Sequence, residues 1–215
     1  MPKERNFYIM PTLVLGTNNR KKGIELAELL APYNVEVRTL ADFDKRLDVV
    51  EDGQTFLDNA RKKAIEQAKF LNAWVIGEDS GLCVDVLEGA PGVYSARFAA
   101  STEENNASDE DNNRLLLEKL ATVPLEKRTA HYTCVAVLAD PSGTIMGETA
   151  GHCRGRILFE HSGEGGFGYD PLFEVVEYHQ TFGTLSPMVK RIISHRARAM
   201  RKLIPIIVTL TLSSR

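Results

Sequence analysis

A mixed α/β fold, a twisted sheet flanked by helices, is predicted by three features of this 215-residue chain. The first half alternates strand, helix, strand, helix, strand, and the second half is mainly strands before a closing helix. Helical segments repeat apolar residues every three or four positions, whereas strand segments alternate or run short and apolar. No internal repeat and no low-complexity linker divides the chain, so residues 1–215 are expected to form a single domain.

Leu13, Val14 and Leu15, ending at Gly16, read as a short buried strand. A helix follows over about residues 19–31, with Ile24, Ala27 and Leu30 on its apolar side and Lys21, Glu25 and Glu28 opposite. Pro32 stops it. Residues 35–40 alternate with period two and form a second strand. A charged connection runs from Asp42 to Asp52, and a second helix spans about residues 55–71. Phe56, Ala60, Ala64, Ala68 and Leu71 make its inward stripe. Lys63 borders that stripe near Asn59 and Gln67, Lys62 points away, and Arg61 borders the other edge. The apolar run from Ala73 to Ile76 is a buried strand, expected to end at Glu78.

Residues 101–113 are polar and acidic and feed a helix through Leu115, Leu116, Leu117 and Leu120; acids at its start suit the helix dipole. Residues 129–140 alternate as a clear strand. A turn at Pro141-Ser142-Gly143 returns residues 144–150 as its hairpin partner, and a further strand ends near Phe159. A glycine-rich loop from Gly163 to Gly168 leads into a β-like run at residues 171–176. The last helix begins near Ser194, a plausible N-cap.

Hydrophobic residues make up 43% and charged residues 26%, the ordinary balance of a soluble globular protein. The net charge of -3 implies no general affinity for nucleic acid or an anionic membrane. Cys83, Cys134 and Cys153 are odd in number and form no C-x-x-C, which suits core thiols in a reducing cytosol. Residues 1–5 are charged and lack a signal peptide's apolar stretch. The run from Leu203 to Leu212 is interrupted by Pro205 and is too short to span a bilayer. Asn106-Ala107-Ser108 matches a glycosylation sequon without meaning in a cytosolic protein.

The chemistry concentrates in a few segments. In Gly77-Glu78-Asp79-Ser80-Gly81, two carboxylates follow directly on a core strand. Carboxylates so close to a core are costly unless a positive group meets them. A hard cation is the simplest such group, since magnesium takes one or two carboxylates plus phosphate oxygens. Thr17, Asn18, Asn19, Arg20, Lys21 and Lys22 join a strand to a helix N-terminus, where free N–H groups favour an anion. Glu51 with Asp79 could supply the acids for metal-assisted attack of water on a phosphoanhydride. Residues 163–168 satisfy G-x-G-x-x-G, but no helix follows, so a dinucleotide site is set aside. That loop is better suited to present Phe167, for stacking on a base, and Asp170. Residues 190–202 carry six bases and no acid, and donors there suit the carbonyl of a 6-keto purine. Each segment also has a plain structural reading: a capped helix, a solvated turn, a bend at Gly81, a core aromatic, a solvated basic helix.

Taken in order, these motifs resemble the inosine triphosphate pyrophosphatase family over roughly residues 13–203. Thr17-Asn18-x-x-Lys21-Lys22 is similar to the family's phosphate-binding turn. Glu51, Lys63, Glu78-Asp79-Ser80-Gly81 and Ala90-Pro91-Gly92-Val93-Tyr94-Ser95-Ala96-Arg97 follow, then Gly166-Phe167-Gly168-Tyr169-Asp170-Pro171 and Ser194-His195-Arg196. The resemblance implies two lobes with the nucleotide in the cleft between them. It implies cleavage of ITP, dITP or XTP between the α and β phosphates, with Mg2+, in a cytoplasmic homodimer that cleanses the nucleotide pool. By position, Asp79 would be the base or water-orienting acid and a metal ligand, with Glu51, and possibly Glu78, as further ligands. Lys63 would join the catalysis and, with Asn18 and Lys22, hold phosphates, with Ser80 close by. Phe167 would stack on the purine, in a substrate loop with Gly168 and Tyr169, while Asp170, Lys190, His195 and Arg196 would read its edge. The chain departs from the family at Glu78, where many members carry Asp, and at Ser186-Pro187-Met188-Val189. Alternatives are a related pyrophosphatase for other modified nucleotides and a nucleotide-binding sensor without turnover.

Overall fold

A seven-stranded sheet organises the protein, seen in a computed structural model that describes residues 12–45, 47–100 and 107–213. The strands are β1 (Thr12–Leu15), β2 (Glu36–Thr39), β3 (Trp74–Val84), β4 (Thr129–Ala139), β5 (Ile145–Ile157), β6 (Phe173–Val175) and β7 (Gln180–Thr181). Their spatial order is β2-β1-β3-β4-β5-β6-β7. β1 is parallel to β2 and β3, and the pairs from β3 to β7 are antiparallel. The helices are α1 (Arg20–Leu30), α2 (Phe56–Leu71), α3 (Asp109–Lys119), α4 (Pro187–Ile193) and α5 (His195–Ser213). The mixed sheet flanked by helices is the predicted class.

One face of the sheet packs on α2, where Ala60, Ala64 and Ala68 meet Val14, Val75 and Val137. A Cβ at Gly77 would lie 2.3 Å from the Ala60 carbonyl, so glycine there lets the α2 backbone rest on β3. The opposite face packs on α1 and α5 through Leu26, Leu30, Ala199, Met200 and Leu203. A Cβ at Gly151 would lie 2.1 Å from the His195 carbonyl, the same device under α5. A third core, around Leu82, Tyr132, Phe173 and Phe182, fills the far end.

Four expectations need correction. β3 does not end at Glu78 but runs through Gly81 to Val84, paired with β4 along the way. Gly81 is not a bend: a Cβ there would lie 2.4 Å from the Gly92 carbonyl and from Ser95 Oγ, so the glycine admits a neighbouring segment. On α1, Ile24 is exposed, and the buried face is Gly23, Leu26 and Leu30. The two strands expected between residues 144 and 159 are one continuous strand, β5. Before α5 stands a separate short helix, α4, with Ser186 as its cap; Ser194 Oγ then accepts from Ala197 N at 3.2 Å to open α5. The inward stripe of α2 is as expected, with Lys63 and its neighbours Asn59 and Gln67 also buried. Residues 1–5 and Asn106 lie outside the described residues.

Candidate active site

Alternation along β3 decides where its acids point, because successive side chains leave opposite faces. Asp79 faces α2. There Asn59 Nδ2 donates to Asp79 Oδ2 at 3.0 Å, and Lys63 Nζ lies 3.3 Å from Oδ1. Lys63 also reaches Glu51 Oε2 at 2.8 Å, so a buried ammonium joins two carboxylates from separate segments. Burial pushes the Asp79 carboxyl above its ordinary value; Lys63 and the Asn59 hydrogen bond oppose this, and Glu51 adds to it. Asn59 Oδ1 in turn accepts from Gly53 N at 2.8 Å and steadies the coil that carries Glu51.

Glu51, Lys63 and Asp79 line a cleft of about 340 Å³, together with Thr17, Asn18, Lys22, Gln67 and Ser80. The turn from β1 into α1 forms one wall. Thr17 Oγ1 accepts from Asn19 N at 3.2 Å, and Asn19 Oδ1 accepts from Lys21 N and Lys22 N, capping α1. The side chains of Asn19, Arg20 and Lys21 lie outside the cleft lining, contrary to the expected six-residue binding turn. Arg20 donates to the Ala41 carbonyl at 3.2 Å, and Lys21 is exposed.

The Glu78 carboxylate points to the opposite face of the sheet, although Glu78 also borders the cleft, and the residue is 4% exposed. Lys22 Nζ lies 2.6 Å from Oε1, and Arg196 Nε donates to Oε2 at 2.8 Å. Burial alone would raise this carboxyl, but Lys22 and Arg196 outweigh it and bring it down to about 2. Arg196 also donates to Glu25 and, at 3.0 Å, to the Lys22 carbonyl. Its donors are thus committed to tying α5, α1 and β3 together. Among the described residues no three His, Cys, Asp or Glu side chains gather as a metal site.

A second group lies beyond Arg196, outside the lining of the cleft. The His195 ring stacks on Tyr132, with centroids 4.7 Å apart and planes at 12°. Its Nδ1 is shielded and has no hydrogen-bond partner. Burial first, then Lys22, draws its titration down to about 3, so the ring is neutral near pH 7. Asp170 is buried, not presented by its loop: it pairs with Lys190 and accepts from Phe167 N at 3.0 Å. Lys190 Nζ stands 5.4 Å from the centroid of Phe167, whose ring is 65% exposed. Tyr169 is buried and donates from its hydroxyl to the Ser95 carbonyl at 2.8 Å. Gly168 has φ +60, and its N donates to Asp109 at 2.6 Å while its carbonyl accepts from Asn113 at 3.0 Å.

The sequence gives no role to Asn59 and Gln67 at the cleft or to Asp109 and Asn113 at Gly168. Only Asn59 and Gln67 carried a signal, as polar residues on the apolar stripe of α2 beside Lys63.

Paired acids around a lysine with a helix start beside them, and, outside that cleft, an exposed aromatic facing Lys190, are groups suited to nucleoside polyphosphates. Comparison gives the narrower class. Residues 13–206 match the Ham1 family, and the chain belongs to that family. It is 51% identical over 202 residues to a dITP/XTP pyrophosphatase of Rhodopirellula baltica, covering 94% of this chain and 95% of that one. It is 50% identical over 195 residues to a dITP/XTP pyrophosphatase of Desulforamulus reducens, covering 91% and 94%. Among solved structures, a Ham1 protein from Coxiella burnetii superposes with TM-score 0.83 at 33% identity, covering 96% of this chain and 100% of that one. The Staphylococcus aureus Ham1 protein superposes with TM-score 0.79 at 35% identity, covering 95% and 100%.

Proposed function

We propose that the chain, acting as one catalytic domain, hydrolyses deaminated purine nucleoside triphosphates (ITP, dITP and XTP) between the α and β phosphates. The products are the monophosphate and pyrophosphate. The convergence of Asp79 and Glu51 on Lys63 at the cleft carries this reading. The activity named for the relatives from Rhodopirellula baltica and Desulforamulus reducens supports it.

Asp79 orients the attacking water and takes its proton, held in place by Asn59 and Lys63. Two carboxylates at one cleft suit a hard divalent cation such as Mg2+. Asp79 and Glu51 would hold that ion, and it would supply charge stabilisation on the phosphate oxygens. Glu78 is committed to Lys22 and Arg196 and takes a positioning part. The start of α1, with Asn18 and Lys22, receives phosphates, and Ser80 lies along the same lining. Phe167 stacks on the purine, while Lys190 and His195 read its 6-keto edge. Asp170 aims Lys190, and Arg196 holds the start of α5.

We place the enzyme in the cytoplasm as a homodimer. Three free cysteines suit a reducing compartment. No helix among the described residues is long and apolar enough to cross a membrane. The decisive experiment is a nucleotide panel that follows pyrophosphate release with and without Mg2+. Turnover of ITP and XTP well above ATP is expected; preference for modified pyrimidines, or ITP binding without turnover, would overturn the reading.

A further inference from the structure

The segment from Ala90 to Arg97 has no part in the chemistry above, yet it touches both ends of the site. Glu51 sits in a coil without strand or helix hydrogen bonds, so its place depends on side chains from elsewhere. Lys63 holds its carboxylate, and Arg97 Nη2 donates to its backbone carbonyl at 3.0 Å. Two residues earlier, Ser95 Oγ accepts from Leu82 N at 2.9 Å and donates to the Gly92 carbonyl at 2.6 Å. This fastens the segment to β3 just beyond Ser80. Gly81 makes room for that contact, having no Cβ to strike Ser95 or Gly92. The Ser95 carbonyl accepts from Tyr169, two residues after Phe167.

We propose that residues 92–97 form a brace that, through Arg97 and Ser95, holds the acid Glu51 in register with the loop that carries Phe167. Arg97 and Tyr169 are then positioning residues that act from the two ends of one rigid segment. Arg97 serves the acid and the ion, and so the chemical step. Tyr169 serves the stacked base, and so affinity. The inference rests on the pyrophosphatase reading for the roles of Glu51 and Phe167.

Opposite kinetic signatures test it. Arg97→Ala should lower kcat for ITP at least about tenfold, with KM moving less than about threefold. It should also weaken Mn2+ binding, titrated by electron paramagnetic resonance without nucleotide, by several fold. Arg97→Lys, which keeps the charge on a slightly shorter side chain, should recover part of both and serves if the alanine variant is poorly folded. In a Glu51→Gln background, Arg97→Ala should add less than about twofold. Tyr169→Phe, which removes one hydroxyl, should raise KM for ITP about fivefold or more with kcat nearly unchanged.

A KM effect alone in Arg97→Ala, an unchanged Mn2+ affinity, full additivity with Glu51→Gln, or a silent Tyr169→Phe would each overturn the brace. Failure of the wild-type protein to release pyrophosphate from any purine triphosphate would instead count against the function. In that case the Mn2+ titration still decides the Arg97 arm.

Discussion

Glu78 and Asp79 are neighbours in β3, yet their carboxylates serve opposite faces of the sheet. Asp79 meets Asn59 and Lys63 of α2, and Glu78 meets Lys22 of α1 and Arg196 of α5. One dipeptide therefore connects the groups around Glu51 with those around His195. The extended strand causes this division, because its side chains alternate between faces.

Removing the Glu78 charge should damage the fold more than the chemistry. Glu78→Gln leaves Arg196, 9% exposed, and Lys22 with less compensation. Breaking a buried pair from one side costs about 3–5 kcal/mol. The lower figure is expected, since Glu25 still faces Arg196 and Lys22 is partly exposed. Urea unfolding at pH 7 measures it. An unchanged midpoint would show that the pair contributes nothing.

Asp79→Asn should separate binding from turnover. The substitution keeps volume and a hydrogen-bonding group beside Asn59 and Lys63 but removes the base. Positioned acid–base groups contribute about 10²–10⁴-fold, and a kcat loss in that range is expected. ITP affinity, measured by calorimetry, should change little. Undiminished pyrophosphate release would remove Asp79 from the mechanism.

Much of this site could be read from residue order, and the failures have physical causes. Lys63, Asn59 and Gln67 fall together in the sequence because helical periodicity is local and α2 obeys it. The strand expected to stop at Glu78 continues because pairing with β4 outweighs a local glycine signal. Gly81 is explained by contact with Gly92 and Ser95, which sequence spacing does not reveal. Ile24 faces solvent because the packing of Gly23 against Thr39 sets the rotation of α1. The clamp on Gly168 by Asp109 and Asn113 is likewise a long-range contact invisible in local pattern.

Phe167 should matter to substrate and hardly at all to the fold. Its ring is 65% exposed, so Phe167→Ala should shift stability by no more than about 0.5 kcal/mol. Lost base stacking costs about 1–3 kcal/mol, or roughly 5- to 150-fold in KM for ITP. Parallel thermal melts and steady-state kinetics make the comparison. A large drop in melting temperature, or an unmoved KM, would place the ring's role elsewhere.

His195 gives a pH dependence whose sign follows from its surroundings. The ordinary imidazole value of 6.5 falls to about 3, through burial first and then Lys22. Between those values the folded protein binds fewer protons than the unfolded chain. Stability tied to the neutral ring is therefore complete above pH 6.5 and is lost as pH falls toward 3. Glu78, ordinarily near 4.5 and lowered to about 2, adds a loss only at lower pH. Full burial would cost about 1.4 kcal/mol per pH unit. His195 is partly exposed as a residue, so about 1 kcal/mol is expected between pH 6.5 and about pH 5. Urea midpoints across that window should slope in the wild type and flatten in His195→Gln. The substitution His195→Ala should also narrow the preference for ITP over ATP, because it removes the ring proposed to read the 6-keto edge. Equal slopes in wild type and His195→Gln would mean that the ring is not held neutral by its surroundings. An unchanged ITP-to-ATP ratio would move base selection to Lys190 and Asp170.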